Sequence, residues 1–282
     1  MSRIPPPSLR SLEARIRNLA RAQELPEGRV RRLIGIVVVG QLLARTEAAA
    51  VKGASNVEIR VGTRRARVSS DLDAVCRHSL DAFRDQLAEA LRDGWDAFTG
   101  LLVDDGEIPA PVPEGYRPHR FRAKLQFRGG DFGTILIEVA PTEIGADRKV
   151  DPVAVSDAEA WFAELGLSVP GPVPTLPLDH QIVQKLHACT LPDTEQWIND
   201  RAHDLVDLQL ALRVYDGSLA DVREIATRLF AARRQHAWPP EVTKRERWAD
   251  RYAAEAQGLD VLGSLDEAIV WANRLIEQIE GR

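Results

Sequence analysis

The sequence predicts a mixed sheet domain of the α/β or α+β kind, followed by a helical domain. Three observations carry this. Residues 99–141 hold short alternating or apolar runs, two of them separated by "GGD" (Gly129 to Asp131), the pattern of strands joined by a tight turn. From Leu178 onward apolar residues recur almost entirely at helical spacing. Between the two patterns lies "GLSVPGPVPTLPLD", Gly166 to Asp179, whose four prolines suit a linker or domain crossing.

The elements follow in order. "SLRSLEARIRNLARAQ" spaces Leu9, Leu12, Ile16 and Leu19 for one face of a helix. A second helix is expected from Pro26 to Thr46. It contains the most apolar run, "LIGIVVVGQLLA", Leu33 to Ala44. That run is too short to span a bilayer and includes Gly40 and Gln41. It also lies too far in for a signal peptide, although Arg29, Arg31 and Arg32 precede it. It reads as a buried helix, and the expectation is a cytoplasmic protein with no membrane association.

Short apolar pieces separated by glycine come next: "AAAVKGAS", "NVEIRVG" and "RVSSDLDAV". "SLDAFRDQLAEALRDGW" is helical in pattern. "TGLLVDD", "RFRAKLQFR" and "GTILIEVAP" are strands. "HQIVQKLHACT", "RAHDLVDLQLALRVY", "DVREIATRLFAARRQ" and "SLDEAIVWANRLIEQIE" are helices. The expected organisation is N-terminal helices over 1–46, a sheet domain over 47–165, a Pro-rich linker over 166–178 and a helical domain over 179–282.

Composition narrows the function classes. Net charge is −5 over 282 residues, so a nucleic-acid partner would need a local basic patch rather than overall charge. The two cysteines, Cys76 and Cys189, form no CxxC pair, which disfavours a disulfide framework or a thiolate zinc site. They read as small buried hydrophobes in a reducing compartment.

The chemistry concentrates in carboxylates. In a strand, Asp71 and Asp73 project from one face while Leu72 and Ala74 project from the other. Two adjacent like charges repel unless water or a cation intervenes. Magnesium, a hard cation held by one or two carboxylates plus substrate phosphates, answers that need. The bland alternative is a solvated strand edge. Upstream, "VKGAS" places Gly53 and Ser55 in an expected turn, where backbone N–H groups and the Ser55 hydroxyl suit a phosphate. An ordinary surface turn is the alternative there. Downstream, Glu138 interrupts the apolar strand "TILIEVAP", either as a functional carboxylate or as a partner for Arg122 or Lys124.

A phosphate cradle, an Asp-x-Asp pair and a later strand carboxylate resemble the nucleotidyltransferase superfamily. "VKGASNVEIRVGTRRARVSSDLD" is similar to the first block of the AbiEii family, and "QKLHACT…DRAHDLVDL" to its second, Lys-x-x-Ala followed by Arg-x-x-Asp-Leu-x-Asp-Leu. The resemblance covers roughly residues 45 to 215, with the blocks in the family's order. Lys52 and Gly53 match its Lys-Gly; Ser69, Asp71 and Asp73 match its Ser-x-Asp-Leu-Asp; Lys185, Asp204 and Asp207 match the second block. The chain departs at Ala54, where a second glycine is usual, at Ser55, where threonine is common, and in a longer spacing from Gly53 to Asp71.

The resemblance implies a nucleotidyltransferase-like α+β sheet domain and a toxin of an AbiE-like type IV toxin–antitoxin pair. The family includes the mycobacterial MenT-type toxins, which attach pyrimidine nucleotides to the tRNA acceptor end. It implies Mg²⁺, or Mn²⁺ in its place, on Asp71 and Asp73, and a nucleoside triphosphate (NTP) bound by Lys52, Gly53, Ser55, Ser69 and Lys185. It also implies an RNA acceptor, most readily the tRNA 3′ end, whose modification blocks translation, and a cognate antitoxin. Asp204 and Asp207 would orient Lys185 or the nucleotide, or pair with Arg201. Glu138 is the candidate third carboxylate, as metal ligand or base; the family blocks do not include it.

Two basic clusters suit an RNA backbone: Arg64, Arg65 and Arg67 in "TRRAR", and Arg117, Arg120, Arg122 and Lys124 in "YRPHRFRAKLQFR". Surface solubility and pairing with nearby acids is the alternative. His119, His187 and His203 lack metal-ligand spacing and read as core or surface histidines. Transfer onto a protein hydroxyl and a catalytically inactive nucleotide-binding module are the rival functions.

Overall fold

Strand-forming residues between Ala49 and Thr175 assemble one mixed sheet in a computed structural model that describes residues 4–109, 117–141, 150–155, 157–195 and 197–282. The strands are β1 (Ala49–Val51), β2 (Leu72–Cys76), β3 (Phe98–Glu107), β4 (His119–Phe127), β5 (Gly130–Ala140), β6 (Asp151–Val153) and β7 (Val173–Thr175). Their order is β3-β4-β5-β2-β1-β7-β6. β2 runs parallel to β5 and β1 parallel to β7; the other neighbours are antiparallel. β2, which carries Asp73, thus lies inside the sheet. The described residues divide into two units. The first runs to Thr63 and resumes from Val68 to Leu176; the second holds Arg64–Arg67 and Pro177–Arg282.

In the first unit, period-two alternation sorts the strands into a core face and a polar face. On β4, Phe121, Ala123, Leu125 and Phe127 are buried, while Arg120, Arg122 and Lys124 alternate with them on the other side. The core face is covered by helices α1 (Leu9–Ala22), α2 (Glu27–Thr46), α4 (Leu80–Asp93) and α5 (Ala158–Leu165). α2 is apolar around its circumference and lies buried along β1, β5 and β7, as the run Leu33–Ala44 predicts. Its glycines permit that approach: a Cβ at Gly35 would sit 2.5 Å from Ile135 Cδ1, and one at Gly40 2.8 Å from Val173 Cγ2. Buried Gln41 is satisfied by Gly171, donating from Nε2 at 2.7 Å and accepting the Gly171 N–H at 2.9 Å. The basic entry to α2 is neutralised by carboxylates: Arg31 pairs with Glu13, and Arg32 with the buried Glu58.

The second unit is helical: α6 (Leu178–Thr190), α7 (His203–Arg213), α8 (Leu219–Arg233), α9 (Trp248–Ala256) and α10 (Leu265–Glu280). Trp248 and Tyr252 of α9 are fully buried; Trp248 Nε1 donates to the Asn199 carbonyl at 2.7 Å. A capping box between Ser264 and Glu267 starts α10. Cys76 and Cys189 are free and buried, and burial pushes the Cys76 thiol up to about 12. Among the described residues no helix is long and apolar enough to cross a membrane.

Four expectations change. "VKGAS" is not a turn: Gly53 opens a helix, α3 (Gly53–Val61), that also absorbs "NVEIRV". The Pro-rich stretch over 166–178 is not simply a linker, because it contributes β7, with Val173 and Leu176 fully buried. The weakly patterned segment before Gly166 forms a helix, α5. The β4–β5 turn sits at Arg128–Gly129, one residue earlier than "GGD" suggests, and a β-bulge follows at Leu125/Gln126.

Candidate active site

The carboxylates lie on the polar face of the first unit. Asp73 lies on β2 with Asp71 just before it; both are half-buried, while Leu72 and Ala74 are fully buried on the opposite face. This is the alternation that the sequence predicts. In the parallel β2–β5 ladder Asp73 is the register partner of Glu138, and in the antiparallel β4–β5 ladder Glu138 is the partner of Arg120. The result is a row across three strands: Asp73, Glu138, Arg120.

Each member of the row is held. The Asp73 backbone carbonyl accepts the Lys52 N–H at 2.9 Å, fixing the start of α3 against β2. Gly53 has φ +65°, and a Cβ there would lie 2.1 Å from Asp73 Oδ2. The Asp73 carboxylate therefore rests on the bare Cα of the first residue of α3. The positive end of a helix favours anions, so the same turn suits a phosphate. Ser55 is buried, and its hydroxyl donates to the Asp71 carbonyl at 3.0 Å. Ser69 donates to the Asp71 carbonyl at 3.1 Å and to its Oδ1 at 3.0 Å. Both serines thus position Asp71, where the sequence suggests phosphate contacts.

Glu138 is ion-paired with Arg120, whose Nε lies 3.2 Å from Oε1, rather than with Arg122 or Lys124. The Arg120 guanidinium is raised above its ordinary pKa by the hydrogen bond and charge of Glu138, with a further contribution from Asp71.

A second cluster lies within the helical unit. Lys185 of α6 is 6% exposed and donates to Asp204 Oδ1 at 2.8 Å and to Asp207 Oδ2 at 2.7 Å, both aspartates being fully buried on α7. Arg67 forks onto Asp207 at 2.8 and 2.9 Å, and Arg201 Nε reaches Asp204 at 2.7 Å. Burial opposes the charge on Lys185, but the two carboxylates outweigh it and raise its pKa. Burial likewise opposes the carboxylate charges; Arg201 with Lys185, and Lys185 with Arg67, overcome it and hold Asp204 and Asp207 below the ordinary range. The residues of the second sequence block thus form one charged network, and the Arg201 pairing exists alongside it.

The basic clusters behave differently from an open track. Arg67 is consumed by Asp207. Arg117 pairs with Glu107 at 3.1 Å, Arg120 with Glu138, and Arg122 with both oxygens of Asp105. Arg64, Arg65 and Lys124 are exposed. His119 contacts Asp104 and stacks on Phe121, while burial lowers the pKa values of His187 and His203.

The profile of a family described as nucleotidyl transferase AbiEii toxin, type IV TA system, matches residues 41–272. The chain belongs to this family. No curated protein matches it. Among solved structures it is similar to MenT4, a nucleotidyltransferase toxin from Mycobacterium tuberculosis H37Rv. The identity is 16% and the TM-score 0.53, over 95% of this chain and 97% of that one. At that identity the likeness speaks for the shared fold. This AbiEii chain is a nucleotidyltransferase, and membership of a toxin–antitoxin family implies an NTP substrate and a cognate antitoxin.

Enzymes of this kind use a divalent metal, and the residues present fit one. Asp71 and Asp73 offer hard oxygen donors, Asp73 beside the first residue of α3, of the kind divalent cations take when substrate completes the shell. Among the described residues no group of three or more His, Cys, Asp or Glu side chains could hold a metal ion. Glu138 therefore does not join Asp71 and Asp73 as a third ligand in this structure.

Proposed function

We propose that this AbiEii nucleotidyltransferase uses Mg²⁺ to move a nucleotide from an NTP onto an RNA hydroxyl, with the tRNA 3′ end as acceptor and arrested translation as the consequence. The observation that supports this best is the Asp73 carboxylate seated against Gly53 at the start of α3, with Asp71 two residues away. This arrangement would set metal-binding oxygens beside N–H groups able to orient a phosphate. Asp71 and Asp73 would hold the metal, and the bound metal would neutralise charge developing on the triphosphate. The N–H groups of the first turn of α3 orient the phosphates. The acceptor hydroxyl attacks the α-phosphorus, the bond to the bridging oxygen breaks, and pyrophosphate leaves. The hydroxyl proton passes to a carboxylate, for which Glu138 is the candidate. Lys185, Asp204 and Asp207 enter the proposal through the second family block: the two carboxylates hold the ammonium charged and fixed.

Transfer onto a protein hydroxyl is the second reading. The acid pairing of Arg117, Arg120 and Arg122 favours it, because it leaves less free positive charge for an RNA backbone. One experiment separates the two: purified protein, total tRNA and each labelled NTP with Mg²⁺, beside Asp71→Ala. Label in RNA that the variant loses supports the first reading and identifies the nucleotide. Label on polypeptide supports the second. No label in either, with pure nucleotide and metal present, refutes both acceptors.

A further inference from the structure

We propose that Arg120 is a built-in counter-ion of the carboxylate row: it holds Glu138 in the metal-free protein, is displaced when the divalent cation binds, and then takes a phosphate of the triphosphate. The inference rests on the metal reading of Asp71 and Asp73 and adds a residue that the family blocks do not contain.

The row imposes the need. Adjacent strands lie about 4.8 Å apart, so the register partners Asp73 and Glu138 bring two carboxylates together on one face. Asp71 adds a third two residues away. Like charges this close raise the energy of the metal-free protein unless a cation offsets them. Arg120 supplies one from the next strand: it is the register partner of Glu138, is bonded to it, and feels the charge of Asp71.

The chemistry of the side chain decides how it can leave. A guanidinium does not deprotonate in a protein, so Arg120 can give up Glu138 only by moving. Its side chain is 41% exposed, against 14% for Arg67, which is locked on Asp207. A long, half-exposed side chain on the polar face has the room. Its planar fork matches phosphate oxygens as well as carboxylate oxygens, so it has a second partner when an NTP is present. The neighbour two residues on makes the contrast. Arg122 is held by both oxygens of Asp105, on the strand away from Glu138, and that hydrogen bond and charge raise its pKa.

The test measures Mn²⁺ binding by electron paramagnetic resonance, without nucleotide, in wild type, Arg120→Gln, Arg120→Lys, Arg122→Gln and Asp73→Asn. Removing the counter-ion should tighten Mn²⁺ on the order of tenfold in Arg120→Gln, the half-exposed charge being partly screened. Arg120→Lys, which keeps the charge, and Arg122→Gln should bind as wild type does; Asp73→Asn should lose the ion. Calorimetry with a non-hydrolysable NTP and Mn²⁺ should show the nucleotide bound more weakly in Arg120→Gln. Circular dichroism melts confirm folding, and Arg120→Lys carries the comparison if Arg120→Gln is unstable: Mn²⁺ binding tighter than wild type in that variant would then contradict the proposal. Unchanged or weaker Mn²⁺ binding in folded Arg120→Gln, with binding lost in Asp73→Asn, overturns the counter-ion and leaves the metal site standing. No Mn²⁺ binding in wild type, with or without the non-hydrolysable NTP, overturns both.

Discussion

Substituting alanine at Gly53 separates a structural glycine from one that shapes the reaction centre. The new Cβ would lie 2.1 Å from Asp73 Oδ2, where real Cβ contacts do not fall below 3.0 Å, so the carboxylate must retreat by the difference, 0.9 Å. The φ of +65° adds left-handed strain of about 1–2 kcal/mol. Overpacking adds about 1–3 kcal/mol more. A shift of about 1 Å in a reacting group can cost about a hundredfold in rate. The expected result is a modest fall in melting temperature with a loss of metal-dependent NTP binding and transfer out of proportion to it. Gly258→Ala is the control: φ there is +74°, but nothing lies within 4 Å of the added methyl, so strain appears without loss of binding. If Gly53→Ala binds Mn²⁺ and nucleotide as tightly as wild type, the carboxylate does not depend on that bare Cα and the reasoning fails.

Three further outcomes are expected. Lys185→Met leaves Asp204 and Asp207 buried without their ammonium, and chemical denaturation should show a loss of about 3–5 kcal/mol; a loss under 1 kcal/mol would mean that the network is dispensable. Acidification should destabilise the protein in two stages. His203 is lowered to about 4 in the fold, so its unfolded form takes the proton first, and its share of stability, up to about 3 kcal/mol, is lost as pH falls from about 6.5 towards 4. Asp204 and Asp207 are lowered, so their share is present above the unfolded value near 4 and lost as pH falls below it. Melting curves from pH 7.5 to 3 that stay flat would contradict both stages. Finally, Gly40→Ala should destabilise by about 1–3 kcal/mol through its clash with Val173, and Val173→Ala should recover part of it in a double-mutant cycle.

Much of the sheet was legible because its strands obey the period-two rule: "RFRAKLQFR" alternates charge with apolar residues and becomes β4. The carboxylate pair was legible for the same reason. α3 was not, because "NVEIRV" has strand-like composition. Tertiary bonds decide it, among them Asn56 Nδ2 to the Leu176 carbonyl at 2.8 Å and the Glu58–Arg32 pair. β7 was hidden by its prolines, which argue against a strand; Pro174 is accommodated because β7 is short and meets β1 at a single register pair, Val51 with Thr175. The capture of Arg67 by Asp207 joins residues 140 positions apart, a distance no local pattern encodes. Lys185 with its two aspartates was visible only through the family block, since a lone lysine at helical spacing looks the same as a solvated one.

The β-bulge between β4 and β5 acts as a phase switch. Up to it, even-numbered positions of β5 face the core, as Gly130 opposite Phe127 and the skipped residue Phe132 do; after it, odd ones do, as Ile135, Ile137 and Val139 do. One supernumerary residue thus turns Glu138 out to the polar side and sets it opposite Arg120, where an unbroken ladder would have put His119. The chemistry of this sheet face is therefore encoded by a count as well as by residue identity. A single deletion near Gly133 would leave every carboxylate and guanidinium in the sequence and still send Glu138 into the core.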